Sequence, residues 1–179
     1  MSAKRHNPQP LDSRRLEELA LAYVARFATT QAKLKAYLRR KLRERGWAGE
    51  GEPPLDAMVS RYVELGYVDD EVWARMKAGS LLRRGYGARR IGEALGHAGV
   101  EETLREDVLP DEADERQAAL SLARRRRFGP FARDPEDRSL RDKHMAAMLR
   151  AGHRMDIVRK VLDAPSIEEA EEWAFEDCE

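Results

Sequence analysis

Apolar residues recur along this chain at intervals of three and four, the spacing that places them on one face of an α-helix. The intervals predict helices over about residues 12–27, 30–45, 54–65, 70–84, 88–98, 101–109, 115–128, 139–151 and 155–162. A helix is also compatible with the stretch after Ser166. No segment alternates between apolar and polar residues as a half-buried strand would, so the sequence predicts an all-α protein.

Two of the apolar stripes lead to specific predictions about the core. The first helix carries its stripe as far as Phe27, which is therefore predicted to pack inward. The fourth helix is predicted to bury Val72, Trp73 and Met76 by the same spacing.

The stretch between the third and fourth helices is predicted to be a joint. Gly66 follows an apolar run, and glycine readily adopts the left-handed backbone that ends a helix. Asp69 or Asp70 can cap the next helix, because a short carboxylate accepts the first free N–H groups. The joint consists of Gly66, Tyr67, Asp69 and Asp70. By the same reasoning, Asp114 is expected to cap the helix that begins near residue 115.

A spacing of four residues that ends in glycine occurs three times, which indicates an internal repeat. The three sets are Leu38–Leu42–Gly46, Ile91–Leu95–Gly99 and His144–Met148–Gly152. They predict three tandem three-helix modules, stacked into an elongated, curved array because each is too small to bury much surface alone. The predicted division is a disordered N-terminal arm at 1–10, modules at 11–67, 68–110 and 111–163, and an acidic C-terminal tail at 164–179.

Charge is distributed unevenly, although the chain has 33 basic and 33 acidic residues in total. Residues 1–100 carry 19 Lys and Arg against 12 Asp and Glu, whereas residues 101–179 carry 14 against 21. The last 17 residues contain eight acids and no base. A basic body of this kind favours nucleic acid or an acidic protein surface as a partner. The tail could also fold back on the basic face and compete with that partner.

Three clusters of cations are candidate contact sites. Cations near helix C-termini also complement the helix dipole, but four consecutive arginines exceed that need. Arginine binds phosphate and carboxylate groups through two parallel hydrogen bonds, which suits a contact role. The leading partner-binding candidates are Arg83, Arg84, Tyr86, Arg89 and Arg90. Further candidate contacts with partner or phosphate are Arg39, Arg40, Lys41, Arg43, Arg124, Arg125, Arg126 and Arg127.

Catalytic and cofactor motifs are missing from the sequence. It has no phosphate-binding or dinucleotide-binding glycine loop, and its histidines are not spaced as metal ligands. The carboxylates at 69–71 fit a helix cap better than a magnesium site. The single Cys178 excludes a disulfide within the chain. We therefore expect a monomer that is not an enzyme and needs no cofactor. No apolar run is long enough to span a membrane, and no signal peptide is evident, so we expect a cytoplasmic protein.

Together these residues resemble the RecX family, the regulators of the RecA recombinase. The resemblance rests on four stretches of the sequence. They are the end of the second helix at Leu38–Trp47, the joint Leu65–Glu71, the turn Arg83–Gly87, and Arg89–Ile91 leading to Gly99–Val100. It covers about residues 11–162 and leaves out the acidic tail. It implies an all-helical, non-enzymatic protein that binds in the groove of the RecA–single-stranded-DNA filament. Such a protein would inhibit filament extension, strand exchange, ATPase and co-protease activity.

Two other functions remain open at this stage. A general DNA-binding helical protein would act directly on naked DNA through its basic face, with a steep dependence on salt. Weak direct DNA binding is also compatible with the family reading. A repeat scaffold for another protein would depend neither on RecA nor on DNA.

Overall fold

The structure, a computed structural model, describes residues 9–134 and 138–176. Within these ranges it contains no strand beyond an isolated bridge between Leu11 and Trp47, which confirms the all-α prediction. A short 3-10 helix covers Gly129–Phe131. The α-helices are α1 Ser13–Val24, α2 Gln31–Arg45, α3 Leu55–Glu64, α4 Asp70–Arg83, α5 Ala88–His97, α6 Glu102–Asp107, α7 Glu112–Arg126, α8 Arg138–Arg150, α9 Met155–Leu162 and α10 Ile167–Phe175.

Some predictions fall partly or wholly outside the described residues. These are most of the N-terminal arm at 1–10, Cys178 and the end of the acidic tail. The chain divides into two compact units, one made of residues up to Trp73 with Ala98–Val100, the other of Ala74–His97 with the residues from Glu101 onward. The division into three modules and the curved array remain predictions.

Short polar side chains define where several helices begin. The Asp12 carboxylate accepts a hydrogen bond from the Arg15 amide at 2.8 Å, and it thereby caps α1. The cap of α7 is Asp111 and not Asp114, because the Asp111 carboxylate accepts the Asp114 amide at 2.8 Å. The helix therefore starts earlier than predicted, and its first turn contains acidic residues that complement the helix dipole.

The core of the first unit lies between α1, α2 and α3. Its buried side chains are Leu11, Leu16, Ala20, Leu34, Leu38, Val59, Tyr62 and Val68. The prediction for Phe27 was wrong, because α1 ends at Val24 and leaves Phe27 exposed. Val72 was also predicted to be buried and is exposed.

The core of the second unit lies between α7, α8 and α9. Its buried side chains are Ala119, Leu122, Ala123, Met148, Ala151, Ile157, Val158, Val161 and Leu162. The acidic α10 adds a smaller cluster, in which Ala170 and Ala174 pack against Leu120 of α7. Met76 was predicted to be buried and is exposed, since Ala74, Ala78 and Leu81 form the inner face of α4 here.

A contact between the start of a helix and a turn carbonyl occurs twice, once in each unit. In the first unit, the Thr30 hydroxyl at the start of α2 donates to the Ala98 carbonyl at 2.5 Å, and the next residue is Gly99. In the second unit, the Gly87 amide before α5 donates to the Ala151 carbonyl at 3.0 Å, and the next residue is Gly152. In both places the start of a helix contacts a turn that ends in a glycine with positive φ.

Both glycines are needed at these contacts. A Cβ atom on Gly99 would overlap the Ala32 side chain, and one on Gly152 would overlap the Arg90 backbone. Their φ angles of 75° and 95° also lie in the region that side chains rarely adopt. Both glycines therefore lie where the start of another helix leaves no room for a side chain.

Substitution of Thr30 tests the contact in the first unit. Thr30 is fully buried, caps α2 through the Lys33 amide and donates to Ala98. We expect Thr30→Val to lower the free energy of unfolding by about 1–2 kcal/mol in urea denaturation, because a cap and a buried hydrogen bond are both lost.

Thr29→Val is the matched control. Thr29 is also buried, but its hydroxyl lies 3.5 Å from the Thr30 carbonyl oxygen, beyond a normal hydrogen bond. We expect a clearly smaller loss for this variant. Equal losses for the two variants would show that the hydroxyl of Thr30 has no special role.

Candidate binding groove

A groove of about 470 Å³ lies in the second unit and is lined mainly by basic and aromatic side chains. Its walls come from the turn between α4 and α5, the start of α5, the end of α7 and the end of α8. The lining residues are Tyr86, Arg90, Leu122, Arg125, Arg126, Phe128, Ala147, Arg150 and Ala151. Four of these nine residues are arginines and none is acidic. We call this feature the basic groove.

The turn that supplies Tyr86 is joined by backbone hydrogen bonds to the turn between α8 and α9. Gly87 donates to Ala151, as described above, and the Arg89 amide donates to the Gly152 carbonyl at 3.3 Å. A Cβ atom on Gly87 would overlap the Gly152 carbonyl, so only glycine permits this approach. The turn and the start of α5 therefore present Tyr86 and Arg90 from a fixed backbone.

His153 fixes the other side of the same turn. Its side chain is buried, and Nε2 lies 3.0 Å from the Gly85 carbonyl oxygen. That carbonyl can only accept, so Nε2 carries the proton in the neutral ring. Nδ1 is buried without a hydrogen-bond partner among the described residues. Burial lowers the pKa of His153, because a charged ring would lose its hydration there.

Glu115 of α7 supports the turn from a third direction. Its carboxylate accepts a hydrogen bond from the backbone of Ala88, the first residue of α5. Arg154 lies 3.8 Å away and is its cationic neighbour. Burial raises the pKa of Glu115 in spite of that arginine. Neither His153 nor Glu115 lines the groove, and both position the residues that do.

Four consecutive arginines at the end of α7 have four different environments. Arg124 pairs with Glu171 of α10. Arg125 donates to the Arg84 carbonyl and lines the groove, as does Arg126. Arg127 ends the helix in the left-handed conformation, with a φ of 57°. The sequence grouped these four residues as one set, but only two of them face the groove.

The leading sequence candidates are also divided by the structure. Tyr86 and Arg90 line the groove, and the Arg84 guanidinium lies 5.3 Å from the centre of the Tyr86 ring. Arg89 donates to the Leu149 carbonyl at 2.6 Å and pairs with Glu93 at 2.9 Å. Arg83 is exposed outside the groove. Two sequence-distant cation sets, at 83–90 and 124–127, therefore meet at one site.

The remaining cation set lies on α2 in the first unit. Arg39, Arg40 and Arg43 are exposed and Lys41 is half-buried. Glu44 pairs with Lys41 at 2.7 Å and with Arg40 at 3.6 Å. The hydrogen bond from Lys41 lowers the pKa of the Glu44 carboxyl.

The joint residues have local structural contacts. Gly66 has a φ of 71°, and Asp69 caps α4 by accepting the Val72 amide at 2.9 Å. Asp70 accepts the Gln31 amide at 2.9 Å and so supports the start of α2. Tyr67 is exposed, with its ring 5.6 Å from that of Tyr62.

Sequence reasoning missed Arg150 and Phe128 as parts of the groove. Arg150 is a single cation at the end of α8, two residues before Gly152, and no cluster marks it. The repeat provides the signal that could have found it, because Gly152 occupies the turn against which α5 packs. Among the described residues, no group of three acidic, histidine or cysteine side chains could hold a metal ion. No described helix combines the length and apolar character that a membrane span requires.

The chain is similar in sequence to proteins that are named as regulators. No protein-family model matches the chain. It is 34% identical over 166 residues to the regulatory protein RecX of Myxococcus xanthus, covering 88% of this chain and 89% of that protein. It is 33% identical over 176 residues to the regulatory protein RecX of a Mycobacterium species, covering 96% and 93%.

Solved structures agree with this result at the level of the fold. The crystal structure of RecX from Lactobacillus salivarius superposes with a TM-score of 0.67 at 18% identity, over 84% of this chain and 96% of that one. A second crystal structure of a regulatory protein RecX gives a TM-score of 0.65 at 16% identity, over 84% and 71%.

The buried His153 predicts a loss of stability at acidic pH. Because its folded pKa lies below the ordinary value of 6.5, the unfolded chain takes up a proton first as the pH falls. The free energy of unfolding should therefore decrease as the pH drops through 6.5 towards the folded pKa. Urea denaturation at pH 7.5 and at pH 5.5 measures this decrease.

Two variants isolate the contribution of His153. His153→Gln should flatten the decrease, whereas His97→Gln, at an exposed histidine of the same unit, should leave it unchanged. Glu115 has the opposite effect on the free energy of unfolding. Because its folded pKa is raised, the folded chain takes up a proton first as the pH falls, which adds stability. An unaltered decrease in His153→Gln would contradict the assignment.

Proposed function

The chain belongs to the RecX family of regulatory proteins, and we propose that it regulates the RecA recombinase by binding the RecA–single-stranded-DNA filament. Bound in the filament groove as a monomer, it inhibits filament extension, strand exchange, ATPase and co-protease activity. Its role is non-enzymatic and needs no cofactor. It acts in the cytoplasm, in homologous recombination, DNA repair and the SOS response.

The basic groove is the observation that best supports this proposal. A filament groove exposes DNA phosphates and carboxylates, and both are anions that arginine binds in pairs of hydrogen bonds. Among the described residues, no ion pair neutralises Arg126 or Arg150. Their charges are therefore available to an anionic partner, and no acid in the groove wall opposes its approach.

The backbone around the groove favours a pre-organised contact. Tyr86 and the Arg84 carbonyl belong to the turn before α5, and Arg90 to the first turn of α5; this segment is hydrogen-bonded to α7 and to the turn after α8. A backbone that is already fixed loses less conformational entropy on binding, which leaves more of the interaction energy for affinity. A partner would therefore meet a surface that needs little rearrangement.

Direct binding to naked DNA is the second candidate function. The observation that favours it is α2, which has seven cations and one acid in its 15 residues. Phosphate contacts of this kind are not specific for a recombinase, and they weaken steeply with added salt.

Recombinase ATPase on single-stranded DNA distinguishes the two candidates. We expect inhibition well below one copy of this protein per recombinase, at concentrations where naked DNA is barely bound. Inhibition that follows the coating of free DNA would support the second candidate. An unchanged ATPase without any DNA binding would favour a scaffold for another partner.

A double substitution tests the role of the groove in that inhibition. We expect Arg126→Ala with Arg150→Ala to raise the inhibitory concentration by about thirtyfold, since each of the two lost contacts costs on the order of 1 kcal/mol. Arg159→Ala with Lys160→Ala is the matched control, because it also removes two exposed cations of the same unit, and both lie outside the groove. If the control loses as much activity as the groove variant, the effect is one of net charge and not of the groove.

A further inference from the structure

The first unit has a cluster of aromatic rings at its surface that the basic groove does not include. Tyr23 stacks on Tyr37 with ring centres 4.3 Å apart and planes inclined by 18°. Phe27 continues this series, with its ring centre 5.4 Å from that of Tyr23. Tyr23 and Tyr37 seal the core between α1 and α2, whereas Phe27 is 56% exposed.

The exposure of Phe27 follows from where α1 ends. The helix stops at Val24, and the Phe27 amide still donates to the Tyr23 carbonyl at 3.0 Å in the turn that follows. This turn holds the Phe27 ring beside Tyr23 and away from the core. A single exposed aromatic residue is common on protein surfaces and needs no explanation. An ordered row of three rings beside a strongly basic helix is a more specific arrangement.

Two cations lie beside Tyr37, at one end of this row of rings. The Arg40 guanidinium lies 5.6 Å from the centre of the Tyr37 ring, and the Lys41 ammonium lies 6.0 Å from it. Both belong to α2, whose seven cations are opposed by Glu44 alone within that helix. The exposed Arg26 directly precedes Phe27. The surface therefore combines an accessible aromatic ring with an excess of positive charge.

We propose that Phe27, backed by Tyr23 and Tyr37, is a stacking site for an unpaired base of a single-stranded nucleic acid. The cations of α2 hold the phosphates that flank this base. Sites of this type combine aromatic faces for successive bases with a basic surface that follows the backbone. Duplex DNA does not fit, since its bases are already stacked on one another and present only their edges.

A second exposed tyrosine of the same unit provides the contrast. Tyr67 is 54% exposed and also lies beside another ring, that of Tyr62. The shallow pocket next to it is lined by Glu17, Glu18, Arg14 and Arg61, so its acids offset its bases. An aromatic ring in such a setting attracts no phosphate backbone, although its exposure matches that of Phe27.

The test uses the full chain and a short fluorescent oligothymidylate without recombinase, measured by anisotropy at low salt. We expect Phe27→Ala to weaken binding by about fivefold or more, the loss typical of one stacked base. Phe27→Trp should bind at least as tightly as the natural chain, and its added tryptophan emission should be quenched when the oligonucleotide binds. Tyr67→Ala should leave the affinity unchanged.

Three results would overturn the proposal. These are unchanged affinity in Phe27→Ala, an equal loss in Tyr67→Ala, and an equal loss of duplex binding in Phe27→Ala. An oligouridylate and an oligodeoxyuridylate of the same length differ only in the sugar. Equal losses with both show that the site does not read the sugar, whereas a loss with the deoxy probe alone assigns DNA. Inhibition of the recombinase does not enter this experiment, so its outcome and that of the proposed function are independent.

Discussion

The contact between a helix start and a glycine turn is the constraint on which each unit depends. At Thr30 a side-chain hydroxyl, and at Gly87 a backbone amide, donates to a turn carbonyl, and the glycine that follows each carbonyl has no room for a Cβ atom. Burial of apolar side chains supplies most of the stability of such small helical units, but it is not directional. The hydrogen bond and the glycine decide which surfaces meet.

In the second unit this contact also determines the chemistry of the surface. It fixes the turn that carries Tyr86 and Arg90 against the helices that carry Arg125, Arg126 and Arg150. The cost of this arrangement is a buried histidine with one unsatisfied nitrogen and a buried glutamate. Groups of this kind destabilise a fold when they are isolated, and here they hold the edges of the basic groove.

The sequence predicted the helices well because their signals are local. Periodic apolar residues, caps such as Asp12 and Thr30, and glycines at helix ends act within one or two turns of the chain. The errors have local causes too. Asp111 precedes the predicted cap Asp114 by three residues, and the small Ala74 and Ala78 form a buried face that hydropathy assigned to Val72 and Met76.

The groove could be predicted only in part, because it depends on contacts between distant segments. The sequence identified Tyr86, Arg90, Arg125 and Arg126 as candidates from their clustering, but it gave no reason to separate them from Arg83 or Arg124. Arg150 has no cation directly beside it in the chain, and it joins the groove only through the fold. Side-chain chemistry can therefore be predicted from composition, whereas its convergence on one site requires the structure.

The recurrence of the glycine turn has a consequence for how such chains evolve. A segment that begins with a helix start able to donate to a turn carbonyl, and that ends with a glycine turn, contains both halves of the contact. When a gene duplication copies that segment in tandem, the new copy can join its neighbour without any new interface. The starts of α2 and α5 make their contacts through buried or backbone groups, so the exposed side chains of the two helices can differ without loss of either contact.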